Sequence, residues 1–335
     1  MRKVLIVGDL HISDKVTGRH VNYFQNCLNV IEMITNAIVE NKITDLYLLG
    51  DIVGTTEKNM RSRDALHTLM KTFLTWNKLT NGRVYTLRGN HDIGARTTDF
   101  DILVSLGFIK LVDYLDIEDK VRIHSLNYGE EKRTLSISEN HWNMAVAHCN
   151  FQVEGQTTWF RAGEGLELSE MDNLEGIELV IAGHIHNPSQ RMVTTAISNK
   201  AISLYYPGCP TRPSRDPNIW DSCFGIVISV DEANSIDGVV GSGVGVDQII
   251  FNLTPATELF TSTYDDLPEE EEEDLFSNVV NIEELSSILE ELQQYNIGAN
   301  KDYRSQIKRV AGLDKEAASL ALEYIEKVEG EFANG

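Results

Sequence analysis

Cations are scarce in this chain of 335 residues: 29 lysines and arginines stand against 51 aspartates and glutamates, a formal charge of -22 at neutral pH. Such a balance excludes a basic protein that coats nucleic acid by charge alone, although a whole-chain sum hides where the charge lies. From Asp265 onward there are 19 acidic and 6 basic residues, a net of -13, against 32 acidic and 23 basic before it, a net of -9. Cysteine is scarce too. Cys27, Cys149, Cys209 and Cys223 form no CxxC pair and are too scattered for a disulfide framework or a cysteine-based zinc site, which fits a reducing compartment. Long apolar runs are missing: Met1-Arg2-Lys3 leads only into Val4–Val7, shorter than a signal-peptide core and far shorter than a bilayer span. The expected location is the cytoplasm, with no membrane partner. There is no long internal repeat. The 42% hydrophobic content and mean hydropathy of -0.21 are ordinary and allow a sizeable core in one large domain or two.

Over the first two hundred residues short apolar runs alternate with stretches of helical period, which predicts an α/β architecture. Val4–Val7, Leu46–Leu49, Val84–Leu87, Met144–Ala147 and Leu179–Ala182 read as strands buried on both faces. Between the first two, Val21, Phe24, Leu28, Ile31, Ile34 and Ile38 recur at helical spacing; Leu66, Leu69, Met70, Phe73 and Leu74 do so between the next two. After a strand near Ser203–Tyr206 the helical signal stops, and β-like runs at Phe224–Val230 and Gln248–Leu253 are expected to complete a second sheet. The run Glu269–Asp274 is a like-charge block that cannot fold on itself. These features divide the chain into an α/β domain over 1–264, an acidic linker over 265–280 and a helical region over 281–330. In that last region Leu285, Ile288, Leu289 and Leu292 make one apolar face, and Ala317, Leu320, Ala321 and Tyr324 another.

Each predicted strand ends in a residue type that ligates metal. Val4–Val7 runs into Gly8-Asp9-Leu10-His11, Leu46–Leu49 into Gly50-Asp51, and Val84–Leu87 into Arg88-Gly89-Asn90-His91-Asp92. Met144–Ala147 ends in His148, and Leu179–Ala182 in Gly183-His184-Ile185-His186. Ligands from distant sequence would thus gather at the carboxyl edge of the sheets, where open α/β folds place their sites. In Asp9-x-His11 and His184-x-His186, two side chains of an extended segment point the same way, and the neighbouring glycines permit close approach of backbone to ions. A carboxylate such as Asp51 can bridge two ions, while imidazole and amide ligands leave the ions their Lewis acidity. One Asp-x-His alone is more often an accident or a helix cap, but five of the nine histidines fall inside these motifs. His20, His67, His124 and His141 fall outside and read as surface or satisfied core histidines.

The ordered set resembles the calcineurin-like metallophosphoesterase superfamily over roughly residues 3–210. The resemblance implies two stacked mixed β-sheets flanked by helices, an αββα sandwich, here with a small C-terminal helical region. It implies two divalent ions: Asp9, His11, Asp51 and His186 would hold one, and Asp51, Asn90, His148 and His184 the other. His91 would act as general acid or transition-state stabiliser beside the phosphate, with Asp92 orienting its ring. The reaction would be in-line displacement at phosphorus by a metal-activated water.

Membership of such a superfamily does not set the substrate. The short Asp-x-His loop with Lys15 and Arg19, the Gly-Asn-His-Asp form, the Tyr206-Pro207-Gly208 turn, the length and the helical tail are similar to SbcD-type DNA repair exonuclease subunits and to compact phage recombination nucleases. That likeness implies a DNA exonuclease or endonuclease that prefers Mn²⁺ to Mg²⁺ and works with an SbcC-type coiled-coil ATPase docked on the C-terminal helices, and it leaves a homodimer open. Ile52-Val53-Gly54 departs from that pattern, where an aromatic, His or Asp is common. Arg88, Lys15, Arg19, Arg212 and Arg215 are candidate substrate contacts, joined by Lys58, Arg61 and Arg63. The alternative is a phosphomonoesterase or Ser/Thr-protein-phosphatase-like enzyme, in which Arg88 would clamp the phosphate. A third reading is a silent scaffold, but no ligand is missing.

Overall fold

The structure, a computed structural model, describes residues 1–14, 22–54, 63–94, 97–152, 165–168, 171–194, 201–213, 221–231, 241 and 243–260. The acidic linker and the C-terminal helical region lie outside the described residues, as do Lys15, Arg19, Lys58, Arg61 and Arg215.

Strand and helix alternate as the apolar periods require: β1 (Arg2–Val7), α1 (Tyr23–Glu40), β2 (Asp45–Leu48), α2 (Arg63–Thr80), β3 (Val84–Thr86), α3 (Asp99–Ser105) and β4 (Lys110–Leu111). A β-rich run follows, with β5 (Tyr114–Ile117), β6 (Val121–Leu126), β7 (Trp142–His148), β8 (Phe151–Gln152), β9 (Leu166–Glu167), β10 (Leu179–Gly183), β11 (Ser189–Thr194), β12 (Ala201–Tyr206), β13 (Ser222–Val230) and β14 (Val244–Asn252). A short helix, α4 (Ala256–Leu259), ends the described chain. Among the described residues no helix is long and apolar enough to cross a membrane.

Two six-stranded mixed sheets result, in the orders β14-β13-β1-β2-β3-β4 and β11-β12-β10-β7-β6-β5. β1, β2 and β3 run parallel in the first, and β6, β7, β10 and β12 in the second, so their carboxyl ends share an edge. The β-like runs after residue 220 differ from their expected place. β13 pairs antiparallel with β1, Ile6 opposite Ile226, and thus extends the first sheet. The second sheet is completed by β5, β6 and β11, strands too polar or too short to stand out in the sequence.

The period of two along each strand divides the core into layers. Leu5, Val7, Leu46 and Leu48 face α1 and α2, meeting Ile34, Ile38, Phe73 and Trp76. Val4, Ile6, Tyr47 and Leu49 point the other way and interlock with Ile123, Met144, Val146 and Ile181 between the sheets. A third layer backs the second sheet, where Ala145, Ala147, Val180 and Leu204 pack against Leu168, Met171 and Leu174. Burying each such leucine or isoleucine contributes roughly 1.5–3 kcal/mol. The sandwich therefore holds the two carboxyl edges rigidly against each other.

Candidate active site

At that shared edge the sheets are joined by hydrogen bonds between the loops that end their strands. The Asp9 carboxylate, buried after β1, accepts the His184 amide from the second sheet at 2.9 and 3.1 Å. In return His148, at the end of β7, sets its Nδ1 2.7 Å from the Leu49 carbonyl beyond β2. The loops around these contacts are tightly wound. His11, Asp51 and His184 have φ of 43°, 46° and 77°, a left-handed backbone that costs a non-glycine residue of order 1 kcal/mol or more and concentrates at functional sites. The spacing Asp9-x-His11 predicts an extended pair; the chain instead turns at His11, as it does at His184, and the turn swings each ring inward. Gly89 shows how little room is left: a Cβ there would stand 2.2 Å from Asp51 Oδ1.

All seven expected ligands converge. Asn90 Oδ1 lies 2.9 Å from His148 Nε2 and 3.0 Å from His184 Nδ1. Asp51 Oδ2 is 3.2 Å from His148 Nε2 and 3.6 Å from His11 Nε2, and so stands between the two halves of the cluster, where a bridging carboxylate belongs. His11 and His186 face each other, Nε2 to Nε2, at 3.0 Å. Donor atoms of Asp9, Asp51 and His148 lie within 4.8 Å of one another, as do those of His11, Asp51 and His91.

The crowding strains the protonation states. Burial and the neighbouring His186 ring push His11 well below its ordinary value. Burial likewise opposes charge on His148, but its contacts with Asp51 and with Asp9 overcome this and push it up to about 9. Buried Asp51 is held below the usual carboxylate range by the hydrogen bond and charge of His148. Imidazole nitrogens gathered beside buried carboxylates are the donor set that divalent ions take, and ion binding would replace the contact between the His11 and His186 rings. The residues present therefore fit two such ions.

Around the ligands the sequence is partly corrected. Asp92 is buried and accepts three backbone amides: Asp51 and Gly89 at 2.8 and 2.9 Å on Oδ2, and Ile52 at 3.1 Å on Oδ1. Both oxygens thus hold the Asp51 and Gly89 loops together and do not orient the His91 ring, whose buried Nδ1 has no hydrogen-bond partner. Beside Asp51, burial pushes Asp92 up to about 7. His91 itself donates its amide to Asp51 Oδ1 at 2.7 Å and sets its ring edge-on to His11, centroids 4.8 Å apart, at the cluster. Arg88 does not face it. Its guanidinium donates to Asp101 Oδ1 at 3.0 Å and stacks 4.9 Å over the Phe100 ring. Arg212 is 4% exposed, with Nη2 3.5 Å from Asp221 Oδ1. His124 behaves as the core histidine expected, its Nε2 3.2 Å from Asn143 Oδ1.

Two residues at the site carry no motif. Tyr128, 42% exposed after β6, sets its ring 6.2 and 6.0 Å from those of His148 and His184. Cys209 places Sγ in one cluster with His11 and His186. Neither lies beside a ligand in sequence, so no local spacing marks them.

Paired mixed sheets whose carboxyl edges share a buried cluster of histidines and carboxylates define the metallophosphoesterase class of fold. The chain belongs to the calcineurin-like phosphoesterase family, which it matches over residues 2–188. Among solved structures it is similar to TT1561 of Thermus thermophilus, at 8% identity and a TM-score of 0.39, covering 67% of this chain and 93% of that one. It is also similar to wild-type Vps29 of Entamoeba histolytica complexed with Zn²⁺, at 12% identity and a TM-score of 0.33, covering 75% of this chain and 99% of that one. No curated protein matches it.

Proposed function

We propose that the protein is a two-metal-dependent DNA nuclease of the SbcD kind, hydrolysing phosphodiester bonds in recombination, repair or end processing together with a coiled-coil ATPase. The observation that carries the hydrolytic reading is Asp51, left-handed and buried, with one oxygen turned toward both His11 and His148. Bound there, divalent ions would supply Lewis acidity and an activated water. The chain's own residues do the rest. Asp9, His11 and His186 would hold one ion and Asn90, His148 and His184 the other, with Asp51 shared between them. Asp92 fixes the loops that aim them. His91, at the cluster with a free ring nitrogen, is placed to protonate or stabilise the departing oxygen.

Two observations around the cluster support a diester as substrate. A monoesterase clamps the doubly charged phosphate with arginine, and Arg88 is engaged by Asp101 and Phe100 instead. An exposed tyrosine beside the ligands suits a nucleic acid, because any base can stack on it. The test compares labelled single- and double-stranded DNA with p-nitrophenyl phosphate under Mn²⁺, Mg²⁺ or EDTA. DNA cleavage that needs metal, is fastest with Mn²⁺ and falls steeply with salt is expected. Hydrolysis of p-nitrophenyl phosphate far exceeding that of any DNA would favour the phosphomonoesterase.

A further inference from the structure

Three of the four cysteines sit where a small apolar side chain belongs. Cys27 and Cys223 pack in the layer between the helices and the first sheet, and Cys149 in the layer backing the second. Cys209 is as buried as they are but belongs to none of the three apolar layers. Its Sγ lies 3.5 Å from Thr211 Oγ1, and Sγ and one ring nitrogen each of His11 and His186 all lie within 4.8 Å of one another. The turn after β12 is tied into both loops that supply those rings. The Cys209 amide donates to the His186 carbonyl at 3.0 Å, and Thr211 Oγ1 donates to the Leu10 carbonyl at 2.7 Å. Tyr23 adds its hydroxyl to the His11 carbonyl at 2.8 Å. Gly208 takes φ of 87° to make the turn, and a Cβ on it would stand 3.0 Å from the His186 carbonyl. Cys209 is thus presented to the rings by a fixed scaffold.

We infer that Cys209 is a sulfur ligand of the ion held by His11 and His186, which makes that half of the site bind thiophilic ions of the zinc or cobalt kind more tightly than Mn²⁺. The inference rests on the metal reading above and sharpens it. Thiolate and imidazole together select zinc-like ions, whereas carboxylate, carbonyl and water suit Mg²⁺ and Mn²⁺. The two halves of the site differ accordingly. Asn90, His148 and His184 offer an amide oxygen and imidazoles to the other ion, whereas the half of His11 and His186 gains a sulfur. On ligation the thiol proton passes to solvent as the sulfur–metal bond forms.

Titration of the metal-free full-length protein with Co²⁺ tests this without an activity assay. Visible ligand-field bands report that cobalt has entered the site, and a sulfur-to-cobalt charge-transfer band in the near ultraviolet reports the thiolate. The wild type and Cys223→Ser are expected to show both. Cys209→Ser and Cys209→Ala should keep the visible bands, lose the charge-transfer band and bind Zn²⁺ roughly tenfold or more weakly. Should Cys209→Ser fold poorly, the wild type alone decides, since visible bands without charge transfer overturn the sulfur ligand. So does a charge-transfer band that persists in a folded Cys209 variant. Absence of any cobalt band from the wild type would overturn the metal site itself, and this inference with it.

Discussion

Residues at this site divide by what their polar atoms reach. Seven reach a common centre; Asp92, one position beyond His91, reaches only backbone. The seven were legible because metal chemistry needs particular residue types at strand ends. The part played by Asp92 was not, because a carboxylate that braces amides and one that orients an imidazole look alike in sequence. Tyr128 was illegible for another reason: nothing links an exposed tyrosine after β6 to His148 and His184 except the fold. If Tyr128 stacks a base beside the cluster, Tyr128→Ala removes roughly 1–3 kcal/mol of binding. Steady-state kinetics should then show KM for single-stranded DNA rising about tenfold, with hydrolysis of a small diester such as bis(p-nitrophenyl) phosphate little changed. Equal losses on both substrates would place Tyr128 in the support of the ligands rather than in contact with DNA.

Elements were legible where apolar period and length were strong. α1 and α2 and the strands β1, β2, β3, β7, β10, β12 and β13 appear where alternation placed them, within a few residues. α3 was missed, since seven residues with two acids carry too short a pattern to read. What forms α3 is local: Thr98 Oγ1 accepts the Asp101 amide and Asp101 Oδ2 accepts the Thr98 amide, a capping box. The same Asp101 holds Arg88 through its other oxygen, so this short helix decides whether the arginine is free for a phosphate. Thr98→Ala should cost about 1 kcal/mol in urea unfolding, as the loss of an N-cap does. It should leave metal content unchanged. A loss of bound metal would show that α3 supports the ligand loops themselves.

For the whole molecule, what sequence left ambiguous was sheet membership. β13 carries the same alternating pattern whichever sheet it joins, and only its register against β1 decides. The acidic excess after Asp265 lies apart from the cluster in sequence. On the proposed reading the helical faces beyond it dock the coiled-coil ATPase, as amphipathic helices dock into grooves. A chain truncated after Tyr264 should then keep metal-dependent cleavage of short DNA within a few-fold of full length and lose the ATPase in a pull-down. Retention of the partner at full-length affinity would move the docking surface onto the catalytic domain.

All of this depends on one claim, that a shared carboxylate holds two divalent ions while His91 works beside them without binding either. Elemental analysis of the purified protein and two variants tests it most directly, with turnover measured on the same samples. Two ions per chain are expected in the wild type and in His91→Asn, the latter with turnover lower by roughly 100-fold or more, as loss of a proton donor produces. Asp51→Asn should lose at least one ion. A wild type that binds a single ion, or a His91→Asn variant stripped of metal whose activity merely tracks occupancy, would contradict the claim.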